Sequence, residues 1–241
     1  MGNMQPPSTS LFDAYARDYM KELDHPFRRI VDAGGEYFIQ AKAHIIREFH
    51  HKYFDADPST VIVDIGAGIG LFEKILKSHF DHIIGLDLSL EMLKVAGLMA
   101  DFDHGRFCQA DAIHMPMPAN SADIAFTSCV FHHIDPVLYA TVIPEFLRIT
   151  KPGGLVMIFE HNPLNPLTQL VIRTTPLDDE AILLGMRAAT KLLRDAGAEV
   201  LHTGFFLYGP KWIDQFLYEK LRFLRRLPFG GQYYIIARKK S

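Results

Sequence analysis

The chain has 241 residues, of which 49% are hydrophobic, and a formal net charge of −3. A chain of this size can bury one large core without a disulfide framework or a structural metal. The net charge argues against general nucleic-acid binding, and no segment has the ~20 apolar residues of a membrane span. The N-terminus lacks a signal-peptide pattern. Both cysteines lie in apolar runs typical of buried free thiols, so we expect a cytoplasmic protein.

Residues 1–56 predict an N-terminal helical cap. Aromatic and small residues recur at spacings of three and four in residues 12–19, and a second helical run covers residues 36–52. Tyr15 and Tyr19 lie four residues apart, so they share one helical face. That face is either a lid over a ligand or an ordinary packing stripe. Residues 57–59 break the pattern, and residues 57–241 predict a single domain.

Strands and helices alternate from residue 60 onward. The predicted strands cover residues 61–64, 82–86, 106–109, 123–127, 155–159, 200–206 and 232–237. The predicted helices cover residues 71–79, 90–100, 136–150, 178–196 and 211–227. We expect Pro144 to split the third helix and residues 151–154 to form a turn. This alternation predicts a doubly wound α/β fold with a mostly parallel sheet.

Three glycines follow the first predicted strand, in the sequence Val-Asp-Ile-Gly-Ala-Gly-Ile-Gly of residues 63–70. Glycine allows a sharp turn and lets a ligand approach the backbone, and the next helix offers free N–H groups. The loop therefore predicts a nucleotide-like ligand. Leu71 stands where a dinucleotide fingerprint has its third glycine, which disfavours a nicotinamide cofactor.

Acidic residues end the next two predicted strands. Asp87 is placed to accept hydrogen bonds from both hydroxyls of a ribose, or it helps Ser89 to cap the following helix. Asp111 is placed to accept a hydrogen bond from an adenine amino group, and Ala112 leaves room for the ring. Because the carboxyl ends of parallel strands share one rim, we expect these residues to lie together with the glycine loop.

These motifs resemble those of class I S-adenosylmethionine (SAM)-dependent methyltransferases, in particular small-molecule enzymes related to quinone-biosynthesis and glycan-cluster methyltransferases. Residues 63–70 resemble the family's first motif, residues 86–89 its second and residues 109–112 its adenine motif. Residues 121–128 resemble the fourth strand, and residues 148–154 the turn before the fifth. The resemblance implies a seven-stranded sheet whose last strand, residues 232–237, is antiparallel.

The resemblance also implies a set of cofactor-binding residues. Gly66 and Gly68 would meet the methionine portion of SAM, Asp87 the ribose, and Asp111 and Ala112 the adenine. The remaining members of the expected set lie in or beside the same motifs: Asp64, Ala67, Leu88, Met92 and Ser128. Two features depart from the family. A predicted helix, rather than a hairpin, joins the last two strands, and the Asn/Asp-Pro-Pro-Tyr signature of nucleobase-methylating enzymes is absent.

Methyl transfer to oxygen or nitrogen of a small-molecule or glycan-type acceptor needs mainly alignment and, where a proton must leave, a base. The candidate bases are His133, Glu160 and His161, which follow the fourth and fifth strands. His132 and Asn162 are candidate substrate contacts in the same loops. Histidines are also common structural residues, and residues 160–166 form either a recognition loop or a turn. No metal-ligand spacing is recognisable, so the sequence predicts no metal.

Alternative functions remain open on the sequence alone. The chain is alternatively a non-catalytic SAM-binding protein or a nicotinamide-dependent oxidoreductase on a similar sheet. Residues 211–241 carry eight Lys and Arg against two Asp and Glu. We expect the predicted helix at 211–227 to dock on the sheet or on a partner, with a peripheral membrane contact as the alternative.

Overall fold

The computed structural model describes residues 12–13, 16, 36–99, 106–175, 178, 181–209, 214 and 222–240. Its strands are β1 (Val61–Ile65), β2 (His82–Asp87), β3 (Phe107–Gln109), β4 (Ala122–Ser128), β5 (Thr150–His161), β6 (Glu199–Phe206) and β7 (Gln232–Arg238). Its α-helices are α1 (Glu36–Phe54), α2 (Leu71–Leu76), α3 (Leu90–Met99), α4 (Tyr139–Ile149), α5 (Pro166–Thr174) and α6 (Met186–Asp195).

The seven strands form one sheet in the order β3-β2-β1-β4-β5-β7-β6. β1 to β5 are parallel, whereas β7 runs antiparallel to both β5 and β6. The predicted doubly wound, mostly parallel sheet is therefore confirmed, including its antiparallel last strand. The order reverses between β1 and β4, and ligands of such sheets bind at the carboxyl ends of the strands beside that reversal.

Apolar side chains cover both faces of the sheet, as expected for strands that are apolar along their whole length. On one face, Ile45, Ile46 and Phe49 of α1 pack with α2 and with inward residues of β1, β4 and β5. On the other face, α4 and α6 pack through residues such as Val142 and Leu193. Since α1 shares its core with the sheet, residues 36–54 belong to the same packed body, and the division at residue 56 stays a prediction.

Several predicted boundaries are wrong. Pro144 does not split α4, because it lies on the exposed side of the helix, where water can reach the carbonyl group that loses its partner. Residues 151–154 belong to β5, since the Gly153 amide and the Gly154 carbonyl pair with Lys239. Of the predicted helix at 178–196, the described part is α-helical at Met186–Asp195, and residues 181–185 are not helical.

The predicted helix at 211–227 falls largely outside the described residues. Within its described end, Arg222–Arg226 form a 3₁₀ helix. Arg225 makes an ion pair of 3.2 Å with Glu48 of α1, and the Tyr208 hydroxyl donates to the Leu224 carbonyl oxygen. This end of the segment therefore docks on the protein. Among the described helices, none combines the length and the apolar character needed to cross a membrane.

Candidate functional site

The glycine loop between β1 and α2 has the backbone conformation that its sequence predicts. Gly66 has φ +86°, and a Cβ atom there would lie 2.2 Å from Cγ2 of Val130. Gly68 has φ +55°, with no described atom within 4 Å of the position of a Cβ atom. Gly66 is therefore required by packing, whereas Gly68 borders open space that a ligand can enter.

Asp64 lies in β1, two residues before this loop, and is completely buried. Neither of its carboxylate oxygens has a hydrogen-bond partner among the described residues. Burial, together with the negative charges of Glu73 and Asp87, holds the pKa of Asp64 well above its usual range. A buried carboxylate without partners is costly, so this position suits a donor or a positive charge from a ligand.

Asp87 ends β2, and both of its carboxylate oxygens accept backbone hydrogen bonds. Oδ2 accepts from the Gly68 amide and Oδ1 from the Ser89 amide, each at 2.8 Å. The predicted N-cap is confirmed, since Ser89 Oγ accepts from the Met92 amide at 3.1 Å. Met92 is buried and packs against Ala16 and Ile69 beneath the loop. Asp87 thus has a structural role, and it is half-buried with lone pairs left for a ligand.

The expected adenine-binding residues lie beside the end of β3. Asp111 and Ala112 are half-buried, and Asp111 Oδ1 accepts from the Ile113 amide at 3.1 Å. The Ala110 amide donates to the Asp87 carbonyl oxygen, and the Gln109 side chain donates to that of Leu88. These contacts bring the second and third motifs together on the rim of the sheet, as the sequence predicts.

A cavity of about 240 Å³ opens at the carboxyl ends of β1, β4 and β5. It is lined by seven of the predicted site residues: Gly66, Ala67, Gly68, Ser128, His132, His133 and His161. The other predicted site residues of the described region lie outside this lining: Asp64, Asp87, Leu88, Met92, Asp111, Ala112, Glu160 and Asn162. Apolar residues of α1 and α5, such as Phe38 and Val171, complete the wall.

Glu160, at the end of β5, is fully buried, and both of its carboxylate oxygens have partners within the protein. Oε2 lies 2.8 Å from Nδ1 of His132, and Oε1 accepts from the Phe131 amide at 2.7 Å. Burial by itself raises the pKa of Glu160, but the charges of His132 and His161 outweigh it and lower the pKa to about 2. A carboxylate with so low a pKa and no access to the cavity is poorly suited to take a proton from a substrate.

The two histidines after β4 differ in their surroundings. Burial lowers the pKa of His132, but the carboxylates of Glu160 and Asp178 outweigh it and raise the pKa to about 10. Burial and the charge of His132 instead lower the pKa of His133 to about 4. The ring of Phe12 packs edge-on against His133, with 5.0 Å between centroids. Phe12 thus contacts a residue of the cavity wall, and Tyr15 and Tyr19 lie outside the described residues.

Asn162 joins two loops through its side chain. Nδ2 donates to the carbonyl oxygens of Pro228 and Gly230 at 3.0 and 2.8 Å, and Oδ1 accepts from the Leu164 amide. Asn162 is only 1% exposed. Its polar atoms are used within the protein, so the geometry supports a structural role more than the predicted substrate contact.

The cavity residues that were not among the predicted site residues include Lys42, Cys129, Asp178 and Gln232. Lys42 Nζ donates to Ser128 Oγ at 2.8 Å and lies 3.3 Å from Cys129 Sγ. Burial by itself raises the pKa of Cys129, but the charges of His161 and Lys42 lower it to about 6. The expected burial is wrong for Cys108, which is exposed. The position of Cys129 after the fourth strand, on the ligand rim, was the signal available in the sequence.

Comparisons with known proteins agree with this geometry. Residues 63–158 match a family model described as a methyltransferase domain. The chain is 30% identical over 163 residues to phosphoethanolamine N-methyltransferase 1 of Arabidopsis thaliana, covering 63% of this chain and 31% of that protein. It is 30% identical over 138 residues to trans-aconitate 2-methyltransferase of Azoarcus sp., covering 56% and 53%. The chain therefore spans between 31% and 53% of the length of these relatives.

A solved structure shares the whole fold. It is a SAM-dependent methyltransferase of Thermotoga maritima, described as a possible histamine N-methyltransferase, with a TM-score of 0.67 at 18% identity. The superposition covers 97% of this chain and 100% of that chain. The matched residues carry the glycine loop and the strands that frame the cavity. The chain thus resembles methyltransferases over this part of its length and shares the fold of that solved structure.

Proposed function

We propose that this chain transfers the methyl group of SAM to an oxygen or nitrogen atom of a small-molecule acceptor. The main support for the proposal is that a single cavity extends from the glycine loop after β1 to the histidines after β4 and β5. Donor and acceptor sites in one cavity would let the protein align the reacting atoms, which is worth up to roughly 7–11 kcal/mol of the barrier.

The residues of the rim fit the cofactor. Gly68 borders open space for the methionine portion of SAM, and Asp64 lies directly behind the glycine loop, buried and without described partners. Asp87 keeps lone pairs for the ribose hydroxyls, and Asp111 with Ala112 lies at the next strand end for the adenine. When bound, SAM supplies a methyl group that the sulfonium charge has already activated.

We assign the role of assisting base to His161. The acceptor heteroatom forms its new bond to the methyl carbon, the bond from that carbon to sulfur breaks, and His161 takes the proton that the acceptor loses. His161 lines the cavity, whereas Glu160 does not, and the lowered pKa of His133 makes it a weaker base. Glu160 is then a positioning residue that fixes His132 and the turn at Phe131.

The acceptor class is proposed from the cavity and from the relatives. The wall combines apolar side chains with Lys42, Asp178 and histidines, which suits a small amphipathic or polar molecule. The acceptors in the names of the two relatives, phosphoethanolamine and trans-aconitate, are small polar molecules that offer nitrogen and oxygen, respectively. These two compounds are the starting members of an acceptor panel.

The test measures S-adenosylhomocysteine released from SAM with each member of the panel, starting with these two compounds and extending to glycans. We expect acceptor-dependent release by the parent chain. In His161→Ala, SAM affinity measured by calorimetry should stay near that of the parent, while turnover should fall by roughly 10²-fold or more. His82→Ala, at the exposed start of β2 on the opposite rim, is the matched control and should keep both values.

SAM binding without release for any acceptor would instead favour a non-catalytic SAM-binding protein. Equal turnover by His161→Ala and the parent would show that His161 is not the base. The rate acceleration would then come from alignment of the reactants alone.

A further inference from the structure

Three side chains from two distant parts of the chain converge on one wall of the cavity. His132 and His133 lie on a 3₁₀ turn after β4, and Asp178 lies beyond α5. Nε2 of His132 is 3.5 Å and Nε2 of His133 is 3.6 Å from Oδ1 of Asp178. One ligand atom from each of the three residues lies within 4.8 Å of the other two.

These separations are long for hydrogen bonds, whose heavy atoms are ordinarily 2.7–3.2 Å apart. Between a protonated His132 ring and Asp178, the 3.5 Å contact is a weak ion pair. The same separations also suit a shared metal ion, whose binding would release the Nε2 proton of His132. Zinc binds imidazole nitrogen and carboxylate oxygen at about 2.0–2.2 Å in tetrahedral geometry. Two ligands of a tetrahedron with such bonds are about 3.4 Å apart, close to both measured distances.

The surroundings of His132 also match those of a metal ligand. Its other ring nitrogen, Nδ1, lies 2.8 Å from Oε2 of Glu160, and Glu160 is itself held by the Phe131 amide. Metal-binding histidines almost always donate their second N–H to a carboxylate or a carbonyl group, which fixes the ring and the tautomer. Glu160 therefore leaves Nε2 of His132 as the nitrogen that faces Asp178.

We propose that His132, His133 and Asp178 bind a divalent transition-metal ion of the Zn²⁺ class. Two imidazoles and one carboxylate suit such an ion, whereas Mg²⁺ and Ca²⁺ prefer oxygen ligands. Three protein ligands leave a fourth position open, as in catalytic zinc sites. All three residues line the cavity, so the fourth position is open to a water molecule or to a donor atom of the acceptor. Local spacing could not predict this site, because Asp178 lies far from the histidines along the chain.

The proposal is tested on the full chain after removal of metals with a chelator. Calorimetric titration with ZnCl₂ should give one tight site per chain, and titration with MgCl₂ should give none. Titration with CoCl₂ should produce the visible d–d absorption of four-coordinate cobalt. Zinc affinity should fall at least about tenfold in Asp178→Asn and in His133→Ala, each of which removes a ligand. No SAM or acceptor is needed, so failure here is distinct from failure of methyl transfer.

Asp135→Asn is the matched control, because it makes the same change at an exposed residue beside the histidines. It should bind zinc like the parent, as should His82→Ala. Thermal unfolding reports whether each variant is folded, and if Asp178→Asn is not, His133→Ala decides the question. The proposal is overturned if the parent binds no zinc, if folded ligand variants keep parental affinity, or if Asp135→Asn loses as much as Asp178→Asn.

Discussion

The Gly68 amide donates a 2.8 Å hydrogen bond to the Asp87 carboxylate, which ties the glycine loop to the acidic end of β2. The second carboxylate oxygen accepts from the Ser89 amide. An ionised carboxylate has about four acceptor positions, so these two bonds leave room for ligand hydroxyls. The two interpretations of Asp87, helix capping and ribose binding, are therefore compatible.

Asp87→Ala should consequently lower both the stability of the SAM-free protein and its affinity for SAM. The free energy of unfolding should fall by about 1–3 kcal/mol, because two backbone amides lose their acceptor. SAM affinity should fall at least about tenfold. Asp123→Ala is the matched control, since Asp123 accepts from the Val61 amide and Lys151 at the opposite end of the sheet. It should lower stability without changing SAM affinity in the folded protein. Unchanged SAM affinity in Asp87→Ala would leave only the structural role.

Gly68→Ala tests whether Gly68 is needed for SAM to approach the loop, or only for the left-handed backbone conformation. A Cβ atom at this position meets no described atom but would project into space expected to hold SAM. The left-handed backbone costs an alanine about 1–2 kcal/mol, so the variant should fold and bind SAM poorly. Gly153→Ala, with φ +80° and equally open surroundings at the start of β5, should carry a similar stability cost. Calorimetric SAM affinity should fall only in Gly68→Ala, and an equal affinity in both variants would contradict the placement of SAM beside Gly68.

The sheet and its rim were predictable from the sequence because their signals are local. Apolar runs bounded by glycine and acidic residues marked β1 and β2, and crossover connections then fixed their parallel arrangement. Asn165 followed by Pro166 was also a local signal, an N-cap residue before a favoured first helical residue, and it begins α5 in the structure. From the sequence, residues 160–166 are instead interpreted as a recognition loop or a turn.

The cavity wall was less predictable because it depends on contacts between distant residues. Asp178 is more than forty residues from the histidines along the chain and meets them only in the folded protein. Asn162 resembled a substrate contact because its loop follows β5, but its amide binds carbonyl groups near residue 230. Local spacing contains no information on either pairing, so these roles required the tertiary structure.

The ammonium group of Lys42 lies 3.3 Å from Cys129 Sγ, so its charge should affect the pKa of the Cys129 thiol. In a Cys108→Ser background, alkylation of Cys129 by iodoacetamide should rise with pH around the pKa of about 6. Lys42→Met should move that rise to higher pH, since it removes one of the charges that stabilise the thiolate. Lys151→Met, which breaks an ion pair at the far end of the sheet, should leave the profile unchanged. Mass spectrometry of the alkylated chain measures the rates, and coincident profiles for parent and Lys42→Met would contradict the prediction.

Glu73 of α2 provides a test of pH-dependent stability. It is fully buried, and neither carboxylate oxygen has a hydrogen-bond partner among the described residues. Burial is the main cause that raises its pKa from 4.5 to about 8. Between these two values the folded chain holds a proton that the unfolded chain has released. The contribution of Glu73 to stability is therefore complete below pH 4.5 and is lost as the pH rises through 8.

Glu73→Gln should remove this pH dependence, because glutamine has a similar shape and stays neutral. Between pH 5 and pH 8, the free energy of unfolding of the parent should fall by roughly 2–4 kcal/mol relative to the variant. Urea denaturation of the SAM-free protein at several pH values measures the difference. Glu199→Gln, at an exposed position on β6, should follow the parent curve. Parallel curves for parent and Glu73→Gln would mean that the Glu73 carboxyl ionises in the folded protein at its ordinary pKa, with water or a cation reaching the space beside β2.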